Sequence, residues 1–352
     1  MERYYVPILK FKQCERKALS ELPKEILSKI KPYFKIQVRN INPRTHKPSK
    51  TIDEYLEITS EEIKNLCVNH SPFIDADNLN DEEVTKHGTN PHSQLYILLN
   101  QKNIEFIPVI KSTSSMSSLN IVKSLDKSKI AIHINANELS NLKTLIDTYK
   151  SFGFNLNSSV LFIDYNFISI SPTIDNTIIS KLNDLNIWNN FSEIIISSSS
   201  FPLDFSKIEL NSIGYIRKLE QDLYYNLAPE INFDISKIIF SDYTCINPNQ
   251  LNDFDYTKNK VFAAIRYTSK ENYIVVRGNQ LKKGTFDQYI TLAENLINLE
   301  DYTGKDYSSG DLYIYNVSTR EIKSGNPTTW LQAAINHHLT YTVNQLSSSS
   351  YF

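Results

Sequence analysis

The sequence predicts an α/β protein, a TIM-like (β/α)8 barrel with parallel strands. Eight short runs rich in β-branched and aromatic residues occur along the 352 residues, and a stretch with helical spacing of apolar residues follows most of them. This alternation is typical of successive βα units in a parallel sheet. Eight units close a TIM-type barrel, and the chain length suits a barrel with insertions. An open, doubly wound sheet is the alternative, because periodicity does not distinguish closure from openness.

The predicted strands lie at residues 4–10, 33–39, 104–111, 130–135, 160–165, 193–197, 237–243 and 261–267. The predicted helices lie at residues 15–30, 60–67, 92–102, 117–125, 136–152, 175–188, 211–227, 286–299 and 328–346. No Gly-x-Gly-x-x-Gly or Walker sequence follows any strand, which weakens the nucleotide-binding form of the open sheet. Pro7 and Pro108 lie inside strands, where each removes a ladder hydrogen bond, so we expect bulges there.

We expect a single barrel domain over residues 1–352 with two elaborations. Residues 40–103 interrupt the strand–helix rhythm by more than a crossover needs, which predicts an insertion or small lid after the second strand. Residues 268–352 are expected to add a hairpin on the eighth strand, an extended piece at 312–317 and extra C-terminal helices.

Composition limits the partners and the compartment. A net charge of -2 gives no bulk attraction to nucleic acid or to acidic membranes. Cys14, Cys67 and Cys245 are widely spaced and odd in number, which argues against a disulfide framework and indicates a reducing compartment. The chain opens without a hydrophobic signal region, and no apolar stretch approaches the roughly 20 residues of a membrane helix. We therefore expect a cytoplasmic protein without a membrane partner.

Two pairs of similar strands predict a polar layer in the barrel. The pattern Phe-x-Asp-Tyr ends the predicted strands at Asp164-Tyr165 and at Asp242-Tyr243. The first and third predicted strands share a different ending, in which a proline-containing apolar run stops at Lys10 and at Lys111. Alternate strands supply the four side chains of a barrel layer. We therefore expect one layer near the carboxyl-terminal mouth, made of Lys10, Lys111, Asp164 and Asp242.

Two interpretations of this quartet stay open. As a catalytic site it would bind an anion or a sugar phosphate through the lysines, with an aspartate as general base. As a structural feature it would be a charge-compensated plug, since a buried charge needs a partner. The aspartates could equally cap the turns that follow the strands.

Other residues are candidates for ligand binding. Arginine suits phosphate or carboxylate, which makes Arg39, Arg266 and Arg277 candidates, although surface ion pairing would explain each of them. His133 is a candidate proton carrier or a hydrogen-bonded structural histidine. His337 and His338 lie in the middle of a predicted helix, so we expect at most one of them to face inward.

The sequence specifies no metal and no cofactor. Cys67-x-x-His70 is half of a zinc site, but no second Cys or His pair completes it nearby. A divalent cation on Asp164 and Asp242 would be chemically reasonable. The serine runs lack the Gly-x-Ser-x-Gly frame of a nucleophile elbow.

Several motifs resemble the beta family proteins, which are bacterial and phage proteins named after the beta protein of a T-even phage. They are Val6-Pro7-Ile8-Leu9-Lys10-x-Lys12-x-x-Glu15-x-x-Ala18-Leu19, Phe106-Ile107-Pro108-Val109-Ile110, the Phe-Ser-Asp-Tyr run ending at Tyr243 with Asn247-Pro248, Arg277-Gly278, and Gly325-x-x-x-x-Trp330 with His337-His338-Leu339. The second strand departs from the family pattern, with Gln37 in place of a glutamate. The resemblance implies a TIM-barrel-like domain of largely unassigned activity in phage-related surroundings. It offers no established catalytic residues, but it makes His338 a candidate for ligand binding. Tyr243, which ends the second Phe-x-Asp-Tyr run, is a further candidate for ligand binding.

Two hypotheses for function follow. The first is a barrel enzyme or ligand-binding protein that acts on a phosphorylated or nucleotide-like ligand at the mouth, in phage defence. The alternative is a non-catalytic module that binds a phage or host protein through aromatic stretches such as residues 302–315.

Overall fold

Eight parallel strands close into a barrel in the computed structural model, which describes residues 4–42, 44–67, 71–79, 83–169, 183, 190–230, 237–250, 261–282 and 285–348. The strands are β1 (Val6–Leu9), β2 (Tyr33–Lys35), β3 (Phe73–Asp75), β4 (Ile107–Lys111), β5 (Ala131–Asn135), β6 (Val160–Phe167), β7 (Glu193–Ser199), β8 (Ser212–Arg217), β9 (Ile238–Asp242), β10 (Phe262–Thr268) and β11 (Asn272–Gln280). The barrel order is β1-β2-β3-β4-β5-β6-β7-β9. The predicted fold class is confirmed, and the open sheet is excluded.

Helices lie between most of the strands and after the last of them. They are α1 (Gln13–Ser20), α2 (Lys24–Leu27), α3 (Ile52–Leu66), α4 (Pro91–Gln101), α5 (Met116–Ser124), α6 (Leu142–Ser151), α7 (Leu219–Glu230), α8 (Gln288–Ile297), α9 (Ser309–Ser318) and α10 (Pro327–Ser348). Short 3-10 turns precede α6 and β6. Nearly all of the predicted helix at 175–188 lies outside the described residues. Among the described helices, none combines the length and apolar character needed to cross a lipid bilayer.

Two predicted strand assignments were wrong. The third barrel strand is β3, which lies inside the segment 40–103 that we expected to be an insertion. At three residues it is too short to show a periodic pattern. The predicted eighth barrel strand is β10, which instead belongs to a separate antiparallel sheet of order β10-β11-β8. The expected hairpin between β10 and β11 is confirmed.

Three local expectations also need correction. The segment 312–317, expected to be extended, belongs to helix α9, and the helix expected at 211–227 begins as strand β8. Pro7 pairs with Asp242, and Pro108 pairs with Ile74, with no register shift in these described ladders, so the expected bulges do not form there. In a parallel ladder a proline is accommodated where its nitrogen is not required as a donor.

Side chains that point into the barrel form a small core of their own. Tyr33, Phe73 and Phe162 occupy its middle, with ring centroids 4.9 Å apart for Phe73 and Phe162 and 5.1 Å apart for Tyr33 and Phe162. The rest of this interior cluster includes apolar residues that lie two positions before the polar residue at the end of each strand. Ile195 and Ile239 are two of them. The strict alternation of strand side chains therefore identifies which later residues face the mouth.

The C-terminal segment packs on the outside of the barrel. Helix α10 packs against α1, α9 and β10, so it lies between the barrel and the β10-β11-β8 sheet. A second core surrounds Trp330, whose ring stacks on Tyr289 at 5.0 Å. Asn336 connects the layers, because it accepts from the Gly310 amide and donates to the Ala18 carbonyl.

Candidate functional site

Six polar side chains form a continuous hydrogen-bonded chain inside the barrel, toward the carboxyl ends of the strands. We call it the mouth network, and its members in spatial order are Lys111, Asp75, Tyr33, His133, Asp164 and Tyr243. They come from β4, β3, β2, β5 and β6 and from the residue after β9. In TIM barrels the active site lies at this end of the strands.

One half of the mouth network is centred on Asp75. The Lys111 Nζ lies 2.7 Å from Asp75 Oδ2, and the Tyr33 hydroxyl donates to the same oxygen at 2.9 Å. Asp75 is fully buried, whereas the Lys111 side chain is 19% exposed. The lysine therefore lies at the solvent edge of an otherwise buried group.

The other half is centred on Asp164. His133 Nε2 lies 3.1 Å from Asp164 Oδ2, and the Tyr243 hydroxyl donates to that oxygen as well. The second carboxylate oxygen accepts from the Asn166 amide at 2.8 Å. His133 Nδ1 lies 2.9 Å from the Tyr33 hydroxyl, which joins the two halves.

The donors and acceptors place His133 between an oxygen of each half. A phenol has one proton, and Tyr33 gives it to Asp75, which can only accept. The Tyr33 oxygen therefore faces His133 Nδ1 as an acceptor, while His133 Nε2 faces the Asp164 carboxylate. Lys111 and His133 are thus the partners of the two carboxylates in the mouth network.

The pKa shifts agree with this assignment. Burial opposes ionisation of Asp75, but Lys111 outweighs it and lowers the pKa of that carboxyl. Burial likewise opposes ionisation of Asp164, and the hydrogen bond and charge of His133 reverse the effect and lower its pKa. Burial, followed by the neighbouring carboxylates, raises the pKa of Tyr33 and of Tyr243, so both phenols stay protonated.

Asp77 lies beside the network and behaves differently. Its Oδ2 accepts from the Ser114 hydroxyl at 2.5 Å, while its buried Oδ1 has no partner among the described residues. Burial and the nearby charge of Asp75 raise the pKa of the Asp77 carboxyl. It is therefore the mouth carboxyl most ready to hold a proton.

Two further lysines face the mouth from neighbouring strands. Lys10 follows interior residues Val6 and Ile8 on β1, and Lys35 follows interior Tyr33 on β2. Within the part of the chain that the structure describes, neither ammonium has a carboxylate at ion-pair distance, although Lys10 Nζ donates to the Gln250 carbonyl. Burial lowers the pKa of Lys10 to about 8, and the charges of Lys12 and Lys35 add to that effect.

The predicted quartet is only partly correct. Lys10, Lys111 and Asp164 face the mouth, but Asp242 points out of the barrel. Its carboxylate accepts from the Tyr5 hydroxyl and lies 3.0 Å from His338 Nε2, beneath helix α10. The two Phe-x-Asp-Tyr copies are out of phase by one residue, so the aspartate points inward on β6 and the tyrosine, Tyr243, points inward after β9.

The capping alternative also holds for these aspartates. Asp164 Oδ1 accepts from the amide of Asn166, and Asp242 Oδ1 accepts from the amide of Thr244, each at 2.8 Å. Both amide residues have positive φ, 58° for Asn166 and 56° for Thr244. Each copy of the motif therefore builds the same turn at the end of its strand.

The candidate arginines lie apart from the mouth network. Arg39 forms an ion pair with Glu83, and Arg277 donates to the Ile208 carbonyl beside the Phe262 ring. Arg266 donates to the Cys245 carbonyl at 2.8 Å and lies over the Phe201 ring at 5.0 Å. These contacts are structural ties between segments of the chain.

Both adjacent histidines of α10 are buried, which corrects the expectation that only one could face inward. His338 contacts Asp242, and His337 Nδ1 lies 2.8 Å from Asp311 Oδ2. Both can be buried because α10 is covered on two sides, by the barrel and by the C-terminal elements. His338 therefore lies outside the mouth.

Sequence patterns missed Tyr33, Lys35, Asp75 and Asp77 as site residues. A signal for Asp75 was present, because Phe73-Ile74-Asp75 is a short apolar run ending in an acid, as at Asp164.

In the described residues, no group of three or more His, Cys, Asp or Glu side chains could hold a metal ion. A surface depression of about 280 Å³ beside α3 and α4, lined in part by Asp53 and His87, shares no residue with the mouth network.

The fold and the network define a class, that of parallel (β/α)8 barrels whose polar groups gather at the carboxyl ends of the strands. Within that class, the model of the Beta protein family matches residues 5–344, nearly the whole chain, and this chain therefore belongs to the Beta protein family. No curated protein and no solved structure matches the chain.

Proposed function

We propose that the barrel mouth binds a small phosphorylated or nucleotide-like ligand. The observation that carries this proposal is the pair Lys10 and Lys35, two mouth-facing ammonium groups without a carboxylate partner in the described residues. Because Lys111 and His133 already pair with the two carboxylates of the mouth network, these lysines add an excess of positive charge to the mouth of a chain with net charge -2. Such a local excess attracts an anion.

Proton transfer is the chemistry that the surrounding groups support. The His133 side chain is 13% exposed, and Asp164 holds it in place. A ligand oxygen that reached the ring could exchange a proton with it, and the Asp164 carboxylate beside the ring would favour the protonated form. Lys111, 19% exposed, is the second donor at the rim.

Removing the two lysines tests the proposal. Isothermal titration with pyrophosphate and with AMP should give binding to the wild type and a loss of at least about tenfold in Lys10→Met and in Lys35→Met, the scale of one charge-assisted contact. Lys24→Met is the matched control, because Lys24 is exposed in α2, outside the mouth. Equal affinities in all four proteins would overturn the proposal, as would no binding to the wild type.

We also propose, from the family resemblance, that this ligand is encountered in the cytoplasm during phage defence. The tyrosines on which a protein-interaction surface would depend have partners inside the chain. Tyr302 donates to the Asp311 carbonyl, Tyr307 packs against His337, and Tyr313 packs edge-on against Trp330. The interaction module therefore has less support than the ligand site.

A further inference from the structure

Two buried serine hydroxyls in the barrel interior have no hydrogen-bond partner among the described residues. They are Ser197 Oγ and Ser241 Oγ, in residues that are 0% and 1% exposed. Buried hydroxyls are normally paired, and an unpaired one costs free energy. Two of them together therefore require an explanation.

The two hydroxyls lie side by side on the inner wall. Ser197 on β7 and Ser241 on β9 are partners in the parallel ladder. Ile195 and Ile239, two residues earlier on the same strands, belong to the interior core, so alternation directs both serines inward. Ser197 is also in register with Asp164 of the mouth network.

Tyr243 covers this part of the wall. It follows Ser241 by two residues, and its hydroxyl reaches Asp164 on β6, so its side chain crosses in front of β7, which lies between β6 and β9. The serines therefore lie beneath the bond between Tyr243 and Asp164. A group that reached them would displace that bond.

The charges around the serines select the kind of group that fits. The ionised Asp164 beside Ser197 disfavours a second anion there, whereas a hydroxyl can both donate to and accept from the two serines. Lys10 follows Val6, the ladder partner of Ser241, by four residues, or about 13 Å of strand toward the rim. The anion-binding lysines and the serine pair thus lie at different depths.

We infer that Ser197 and Ser241 form a subsite for a ligand hydroxyl, so that the mouth takes a phosphorylated sugar with its phosphate at the rim and its hydroxyls on the inner wall. This inference rests on the proposed function, because the phosphate would be held by the same lysines. It adds the class of the organic part of the ligand and the residues that contact it.

Titrations with ribose 5-phosphate and inorganic phosphate test the subsite. The wild type should bind ribose 5-phosphate at least about tenfold more tightly than phosphate, the scale of one or two hydrogen bonds. The Ser197→Ala/Ser241→Ala double variant should lose that preference and bind phosphate like the wild type. Ser198→Ala, on the opposite face of β7, is the matched control and should keep the preference.

The outcomes separate the two proposals. If the wild type binds both probes equally, or if the double variant keeps the preference, the subsite is wrong and the anion site stands. If neither probe binds, both proposals fail. The melting temperature should be unchanged or higher in the double variant, because alanine removes unpaired buried hydroxyls. A lower melting temperature would show that the hydroxyls are satisfied in the free protein and would overturn the subsite.

Discussion

A histidine paired with an aspartate occurs in two different environments in this molecule. His133 and Asp164 are 3.1 Å apart in the barrel mouth, and the histidine side chain is 13% exposed. His337 and Asp311 are 2.8 Å apart beneath the C-terminal elements, where both side chains are 0% exposed. The two pairs contain the same side chains, but only the first is partly exposed to solvent.

The polar atoms of the buried pair are all hydrogen-bonded within the protein. His337 Nε2 donates to the Thr268 carbonyl at 2.8 Å, and its ring stacks on Tyr267 at 3.8 Å. Asp311 accepts from the hydroxyls of Tyr267 and Ser308. The pair therefore holds α10, α9 and β10 together. In the mouth, by contrast, Lys10 and Lys35 have no carboxylate at ion-pair distance and one oxygen of Asp77 has no hydrogen-bond partner among the residues that the structure describes.

The largest effect that we expect is a loss of stability when the buried pair His337 and Asp311 is broken. Asp311→Asn removes the buried carboxylate that His337, Tyr267 and Ser308 contact, so the free energy of unfolding should fall by about 3 kcal/mol. Urea denaturation monitored by circular dichroism measures this change. Asp147→Asn, on the exposed face of α6, is the control and should change it by less than about 0.5 kcal/mol. A similarly small change for Asp311→Asn would show that the buried pair is not a clamp.

The pH dependence of stability should come more from the buried pair than from Asp77. The pKa of Asp311 is below its ordinary value of 3.8 because the charge and hydrogen bond of His337 outweigh the opposing effect of burial. Its stabilisation is therefore full above about pH 4 and is lost as the pH falls through the lowered pKa. Asp77 has a raised pKa, so its contribution has the opposite sign and is lost as the pH rises through that pKa.

Melting curves between pH 2 and pH 8 measure this balance. The wild type should lose stability steeply on the acid side, and Asp311→Asn should show a shallower acid loss because it lacks the titrating group. Equal acid slopes in the two proteins would mean that the ion pair contributes nothing to the pH dependence.

The barrel and some of the side chains that face its mouth could be predicted from the sequence. Alternation along β6 and β4 correctly placed Asp164 and Lys111 on interior faces, because each strand has a clear period of two. The phase of β9 could not be predicted, since a one-residue shift exchanges the two faces and only pairing with β7 and β1 determines it. For the same reason Asp242 was placed in the mouth when Tyr243 is the inward residue.

The short strands account for the rest of what was missed. β2 and β3 have three residues each, too few for a periodic pattern, yet they carry Tyr33, Lys35 and Asp75. Burial of Asp75 against Lys111 depends on contacts between strands far apart in sequence. The expected quartet of Lys10, Lys111, Asp164 and Asp242 does not form, because Lys111 pairs with Asp75 and Asp164 pairs with His133.

The most direct test of the ligand site compares affinity with stability in the Lys10→Met/Lys35→Met double variant. Methionine keeps an unbranched side chain of similar length but removes the two positive charges on which anion binding depends. Thermal shift with pyrophosphate, AMP and ribose 5-phosphate should show stabilisation of the wild type and none of the double variant. The melting temperature of the free double variant should fall less than that of Asp311→Asn. A double variant that melts as low as Asp311→Asn, yet is stabilised by these anions like the wild type, would contradict the ligand site and show that the two lysines are structural.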